Sequence, residues 1–116
     1  MEKAGRRRGM KVYISGKIGE EVLSDATREK FAKAERELRE WGFDVFNPTT
    51  SGLGTRAEEL AKERRTDFYT EIMKLDLDEL RGCNAIYLLN DWMLSPGAQV
   101  EREEAVRLGL LIWYEH

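Results

Sequence analysis

The chain has one cysteine, Cys83, and one histidine, His116, which is its last residue. A single thiol cannot close an internal disulfide, which fits a reducing, cytoplasmic setting. One Cys and one His do not supply a Cys/His zinc site. No apolar run approaches the length needed to span a bilayer. The apolar run at 10–14 follows the Arg6-Arg7-Arg8 cluster but is too short for the core of a signal peptide. Charge of one sign is also scarce: the net value is −3, which gives no general case for nucleic-acid binding. No internal repeat, linker or low-complexity tract divides the chain.

What remains is an ordinary single domain. The 116 residues are enough to bury a core without disulfide staples. Apolar residues make up 41% and charged residues 35%, the balance of a soluble globular chain rather than a disordered one. Residues 1–9 read as a flexible basic arm, most simply solvated, and residues 10–116 as one domain.

Residues 11–15 are β-rich and end at Gly16, a first strand. Ser24 and Asp25 offer N-caps for a long helix. Phe31, Ala34, Leu38 and Trp41 fall on one face of it, and Gly42 supplies the stop. Residues 43–46 form a second strand, closed by Asn47-Pro48. Trp41, Phe43 and Phe46 are expected in the core. A polar loop over 49–55 leads into a helical region over 56–81, broken once. Residues 85–89 are a continuous apolar strand of the kind buried on both faces. After a loop over 90–96 come a helix over 97–108 and a last strand over 110–114. The order β-α-β-α-β-α-β argues for an α/β fold, a short parallel sheet with helices on both faces. Right-handed crossovers give the strand order 2-1-3-4. Ligands in this class bind beyond the strand ends at the switch point, here between the first and third strands.

Three constellations could carry chemistry there. Ser15-Gly16-Lys17-Ile18-Gly19 follows the first strand; glycines let backbone amides approach an anion and Lys17 adds charge. It is neither a Walker A loop nor the dinucleotide fingerprint, and a plain strand-to-helix turn explains it as well. Glu101 shares a helical stripe with Ala98, Ala105 and Leu108, while Arg102, Glu103, Glu104 and Arg107 lie off it. A carboxylate on a core-facing stripe costs free energy unless it is paired or used. The nearby helix N-terminus helps keep it ionised; serving that first turn, or tilting into solvent, is the plainer role. Asp76 interrupts the stripe Tyr69, Met73, Leu80 in the same way, and the plainer role is an N-cap where the helix restarts. Two acids on apolar stripes flanking one strand suit glycosidic-bond chemistry, with one attacking or stabilising the anomeric carbon and another group donating a proton. Trp92, in the loop before Ser95, could stack on a base or pack against a partner subunit.

Tyr13-Ile14-Ser15-Gly16, Asp76-Leu77 with Leu80, Asn84-Ala85-Ile86, and Ser95-x-Gly97-x-x-x-Glu101 followed by Ala105 and Leu108-Gly109 together resemble the nucleoside 2-deoxyribosyltransferase superfamily. The similarity runs from Met10 over nearly the whole chain and is greatest to small bacterial and phage members. The resemblance implies a Rossmann-like three-layer homodimer acting on the N-glycosidic bond of 2′-deoxynucleosides. It puts the nucleophilic glutamate at Glu101 and an aspartate near base and sugar at Asp76. It puts the 5′ end of the ligand against Ser95, Ser15, Gly16 and Lys17, with Tyr13, Gly97 and Ala98 also at the ligand. Where the transferases carry an acid for the sugar hydroxyl, this chain has Ser95. The related 2′-deoxynucleoside 5′-phosphate N-hydrolases hold phosphate with serine there, so hydrolysis of a deoxynucleoside monophosphate is the finer expectation.

No metal or organic cofactor is implied, and the partners expected are a small-molecule nucleoside or nucleotide and a second copy of the chain, with neither membrane nor nucleic acid. The sequence departs from the family at Asn84, where aspartate is usual, and at Gln99, where a small residue is. Relatives often continue past the last strand and lend a C-terminal residue to the neighbouring site, whereas this sequence ends at His116. A non-catalytic nucleotide-binding or sensing module is therefore the alternative. A phosphoacceptor domain of response-regulator type has little support, since it needs acids after the first strand and Asp91 alone does not supply them.

Overall fold

A computed structural model describes residues 9–18 and 23–116. The basic arm before Gly9 and part of the loop after the first strand lie outside the described residues. The elements are β1 (Lys11–Ser15), α1 (Asp25–Glu40), β2 (Asp44–Phe46), α2 (Leu53–Arg64), α3 (Phe68–Arg81), β3 (Ala85–Leu88), α4 (Pro96–Leu108) and β4 (Leu111–Tyr114), with a short 3₁₀ turn over Trp92–Leu94. The four strands form one sheet in the order β2-β1-β3-β4. Every pairing is parallel, with Tyr13 opposite Phe46 and Ile86, and Ser15 opposite Leu88.

Alternation along β1 divides the core. Val12 and Ile14 pack with Phe31, Ala34 and Leu38 of α1 on one face. Tyr13 packs with Phe46, Leu80 of α3 and Ala105 of α4 on the other. This is the three-layer, Rossmann-like α/β arrangement. Full burial of a side chain such as Phe31 or Ile14 contributes about 1.5–3 kcal/mol, and β1 and β3 are buried along nearly their whole length because both of their faces are covered. Among the described residues no helix is long and apolar enough to cross a membrane.

Side-chain caps start three helices. Ser24 accepts from the Thr27 N–H, Asp67 from the Thr70 N–H, and Ser95 from the Ala98 N–H. The break in the second helical region falls at residues 65–67, where Arg65 is left-handed (φ 56°). Thr66 and Arg64 both donate to the buried Glu71 carboxylate, which ties the end of α2 to the first turn of α3.

Four expectations need correction. The helix restarts on Asp67, so Asp76 stands in the middle of α3 and caps nothing. The loop over 49–55 is shorter, because α2 begins at Leu53. The loop over 90–96 contains the 3₁₀ turn. Trp41 is 61% exposed, not core: it is the C-cap residue of α1, where the helical stripe has already run past the sheet.

Candidate active site

The carboxyl ends of β1 and β3 open into a cleft of about 880 Å³, within the range of roughly 300–1,000 Å³ that small-molecule sites occupy. Gly16 and Ile18 after β1, Pro48 and Thr49 after β2, and Ser95 before α4 line it. It therefore lies at the switch point of the sheet, as the topology requires. One wall is the first half of α3, where Phe68, Tyr69, Ile72, Met73 and Asp76 face the cavity. The first two turns of α4 adjoin it, with Gly97, Ala98 and Glu101.

Glu101 is the buried centre of this site. Its helix carries it over β1, whose Tyr13 and Ser15 point to the same face because they are two residues apart. The Tyr13 hydroxyl donates to Glu101 Oε2 at 2.7 Å and the Ser15 hydroxyl to Oε1 at 2.6 Å. The Tyr13 ring stacks on Phe46 with centroids 5.1 Å apart, which holds the phenol in place. Burial pushes the Glu101 carboxyl up to about 7, against the two hydrogen bonds, which favour the ionised form. The Tyr13 hydroxyl is held well above its ordinary value by burial and by the Glu101 charge, so it remains a donor.

Asp76 enters the same cleft from α3. It is buried, and its Oδ1 has no hydrogen-bond partner. Burial first, and the neighbouring Glu101 charge second, push it up to about 8. Two carboxyls in one low-dielectric site cannot both ionise cheaply. Glu101 has two donors and Asp76 Oδ1 has none, so Asp76 is the member that keeps the proton. Glu71 has partners that Asp76 lacks: the Thr66 hydroxyl, with Lys74 and Arg64, holds it below its ordinary value.

Of the residues singled out from sequence, Gly16, Asp76, Ser95, Gly97, Ala98 and Glu101 line the cleft. Tyr13 and Ser15 lie beneath it, fully covered, and hold Glu101 rather than facing the cavity. Lys17 is exposed and is not among the described residues that line the cleft. Its backbone is pinned instead, its N–H donating to Asp91 Oδ1 at 2.9 Å and its carbonyl accepting from Lys30, which also pairs with Asp91. Gly16 is glycine for want of room. A Cβ there would stand 2.7 Å from Leu89 Cδ1. At Gly97 a Cβ would only touch Met73 Sδ and the Tyr69 hydroxyl, at 3.5 and 3.6 Å, narrowing the cleft.

Trp92 is partly buried. It packs against the core beneath α4, with the Arg102 guanidinium 5.2 Å from its ring centroid and Tyr114 beside it. Asn84 lies at the amino-terminal edge of the sheet, accepting from the Lys11 N–H, far along the strand from the cleft. Gln99 donates to the Met93 carbonyl. Sequence reasoning placed Tyr69 and Met73 on the Asp76 stripe but missed Phe68 and Ile72 beside them. The signal was present as an apolar face of α3 that the core does not use. Among the described residues no group of three His, Cys, Asp or Glu side chains could hold a metal ion.

A protein family described as a domain of unknown function, DUF4406, matches residues 10–114. No curated protein matches the sequence.

Proposed function

This chain belongs to the DUF4406 family, and we propose that it cleaves or transfers at the N-glycosidic bond of a 2′-deoxynucleoside or its 5′-monophosphate, with Glu101 as nucleophile. The observation that carries the reading is a buried glutamate with both oxygens fixed, facing an open cleft beside a second buried carboxyl, Asp76, whose protonated form burial favours. Ionised nucleophile and protonated acid are the two states a glycosidic displacement needs at the same moment. The similarity of the Ser95-to-Glu101 block and of the β1 block to the nucleoside 2-deoxyribosyltransferases supports the same choice.

In the first step a Glu101 oxygen attacks C1′ and forms an ester. The C1′–N bond breaks and its electron pair goes to the base nitrogen, while the Asp76 carboxyl gives its proton to the base. In the second step water, or the nitrogen of an acceptor base, attacks C1′ and gives a proton to the Asp76 carboxylate. The ester bond breaks and returns Glu101 as a carboxylate. Tyr13 and Ser15 orient the Glu101 carboxylate for the first step and stabilise it as the leaving group in the second. The apolar α3 wall of Phe68, Tyr69, Ile72 and Met73 is suited to a flat base. A homodimer accompanies this reading; the exposed Met93 and Leu94, beside the cleft residue Ser95, are apolar surface open to a second copy. Sedimentation of the purified protein tests that pairing.

The experiment is incubation with a panel of deoxynucleosides and their 5′-monophosphates, with and without an acceptor base, and chromatography for free or exchanged base. Glu101→Gln runs in parallel. Base release by the unsubstituted protein alone supports the reading. Release that persists in Glu101→Gln removes Glu101 as nucleophile. Stabilisation against heat without any release points to a nucleotide-binding module instead.

A further inference from the structure

We propose that Asp91 and Lys30 are positioning residues for the cleft: an ion pair that grips both backbone groups of Lys17 and so holds the segment after β1 in its ligand-binding shape. The inference rests on the glycosidic reading for its kinetic test. It adds two residues that are not among the described residues lining the cavity.

The need for such a grip follows from the topology. β1 and β3 stay paired up to Ser15 opposite Leu88, and the Leu89 N–H donates to the Ser15 carbonyl at 2.8 Å. One step further, a parallel ladder would give the Lys17 N–H to the Leu89 carbonyl. At a switch point the two chains leave the sheet in opposite directions. The Leu89 carbonyl accepts instead from the Trp92 N–H, at 3.0 Å, as the chain enters the 3₁₀ turn. The Asp91 side chain takes that carbonyl's place. Its Oδ1 accepts from the Lys17 N–H at 2.9 Å. Its Oδ2 pairs with Lys30 of α1, whose ammonium also donates to the Lys17 carbonyl.

Three observations set this pair apart from an ordinary surface ion pair. The Asp91 and Lys30 side chains are only 28% and 32% exposed, whereas Arg36 and Glu29, paired on the same helix, are 59% and 66% exposed. Asp91 opens the 3₁₀ turn but makes no side-chain capping bond to it; its carboxylate reaches across to the other strand end. Burial raises the Asp91 carboxyl, yet the Lys17 N–H and Lys30 hold it below its ordinary value, so the pair stays charged. The gripped residue lies between Gly16 and Ile18, which both line the cleft, and Asp91 begins the segment that leads to Ser95 and Pro96 on the cavity's other rim. Without the grip the segment after β1 samples other shapes, and ligand binds only the competent fraction. KM then rises in inverse proportion to that fraction. The bound state keeps its kcat, because the Tyr13 and Ser15 bonds to Glu101 come from within the strand.

The test measures kcat and KM for base release from the deoxynucleoside panel. Asp91→Ala and Lys30→Met are each expected to raise KM by roughly 10-fold, the lower end for a hydrogen bond to a charged group, with kcat nearly unchanged. The double variant is expected to match the larger single effect, since both residues act through Lys17. Lys30→Arg, which keeps a donor for both partners, should hold KM near that of the unsubstituted protein, and Arg36→Ala should leave it unmoved. If Asp91→Ala does not fold, Lys30→Met decides. An unmoved KM with a lowered melting temperature, a fall in kcat at constant KM, or additive effects in the double variant overturns the proposal. If the unsubstituted protein releases no base, the glycosidic reading fails by itself, and the same panel is compared by melting temperature. A ligand-induced rise that shrinks in Asp91→Ala and Lys30→Met then upholds the positioning role; an equal rise, or none in any protein, overturns it.

Discussion

Ser15 and Glu101 stand 86 positions apart in the chain and share a hydrogen bond of 2.6 Å. With the Tyr13 bond at 2.7 Å, it fixes the glutamate at the floor of the cleft and favours its charged form. Removing one donor should therefore act on protonation as well as on geometry. Hydrogen bonds to a charged group contribute about 1.5–3 kcal/mol. Tyr13→Phe and Ser15→Ala are each expected to lower base release at pH 7 by roughly 10–100-fold, a conversion of that energy. The rising limb of the pH–rate profile should move to higher pH in both. A fall in rate with an unmoved limb would mean the donors only fill space.

The two carboxyls set the pH dependence of the unsubstituted protein. Activity needs Glu101 ionised and Asp76 protonated. The profile of kcat/KM is expected to rise near about 7, where Glu101 loses its proton, and to fall near about 8, where Asp76 does. The result is a narrow bell, and its limbs belong to the coupled pair. Asp76→Asn should abolish the falling limb.

Stability should run the other way from the usual acid denaturation. Asp76 is raised from 3.8 to about 8 in the fold, so the folded state binds more protons than the unfolded state between those values. Its contribution is fully present at pH below 4 and is lost as pH rises toward 8. Asp76→Asn removes that loss and is expected to stabilise the protein at pH 8, with little change at pH 4. Denaturant melts at the two pH values measure it. Equal effects at both would show that Asp76 is not buried in its charged-averse state.

The turn after β1 separates packing from ligand contact. Gly16→Ala must push a Cβ into Leu89, and overpacking of this kind costs about 1–3 kcal/mol. Lys17→Ala removes a side chain that is exposed and is not among the described residues lining the cleft. Its melting temperature and base release are expected to match those of the unsubstituted protein. A marked loss of release in Lys17→Ala would return that ammonium to the site.

Apolar runs bounded by Gly16, Gly42 and Asn47-Pro48 located the first two strands, and helical periodicity gave the helix faces and singled out Glu101. The alternation of short apolar runs with helical stripes fixes strand order through the handedness of crossovers. Glu101 was legible because it is the one acid aligned with Ala98 and Ala105, both buried. Asp76 was visible as an acid on an apolar stripe, but its role was not. A cap and a mid-helix acid look alike until the restart of the helix is known, and Asp67, nine positions earlier, holds that cap. Trp41 misled because a stripe continues in sequence after the sheet it faces has ended.

By itself the sequence determined what depends on neighbours along the chain: where elements start, which face of each is apolar, and therefore the α/β sheet with its switch point. Only the tertiary structure decided what depends on residues far apart. Tyr13 and Ser15 meet Glu101 across the domain, Lys30 is drawn to Asp91 and away from the cleft, and Asp76 is enclosed without a partner for Oδ1. The physical reason is that desolvation and electrostatic pairing are set by everything packed around a group. No spacing rule along one strand or helix contains that information.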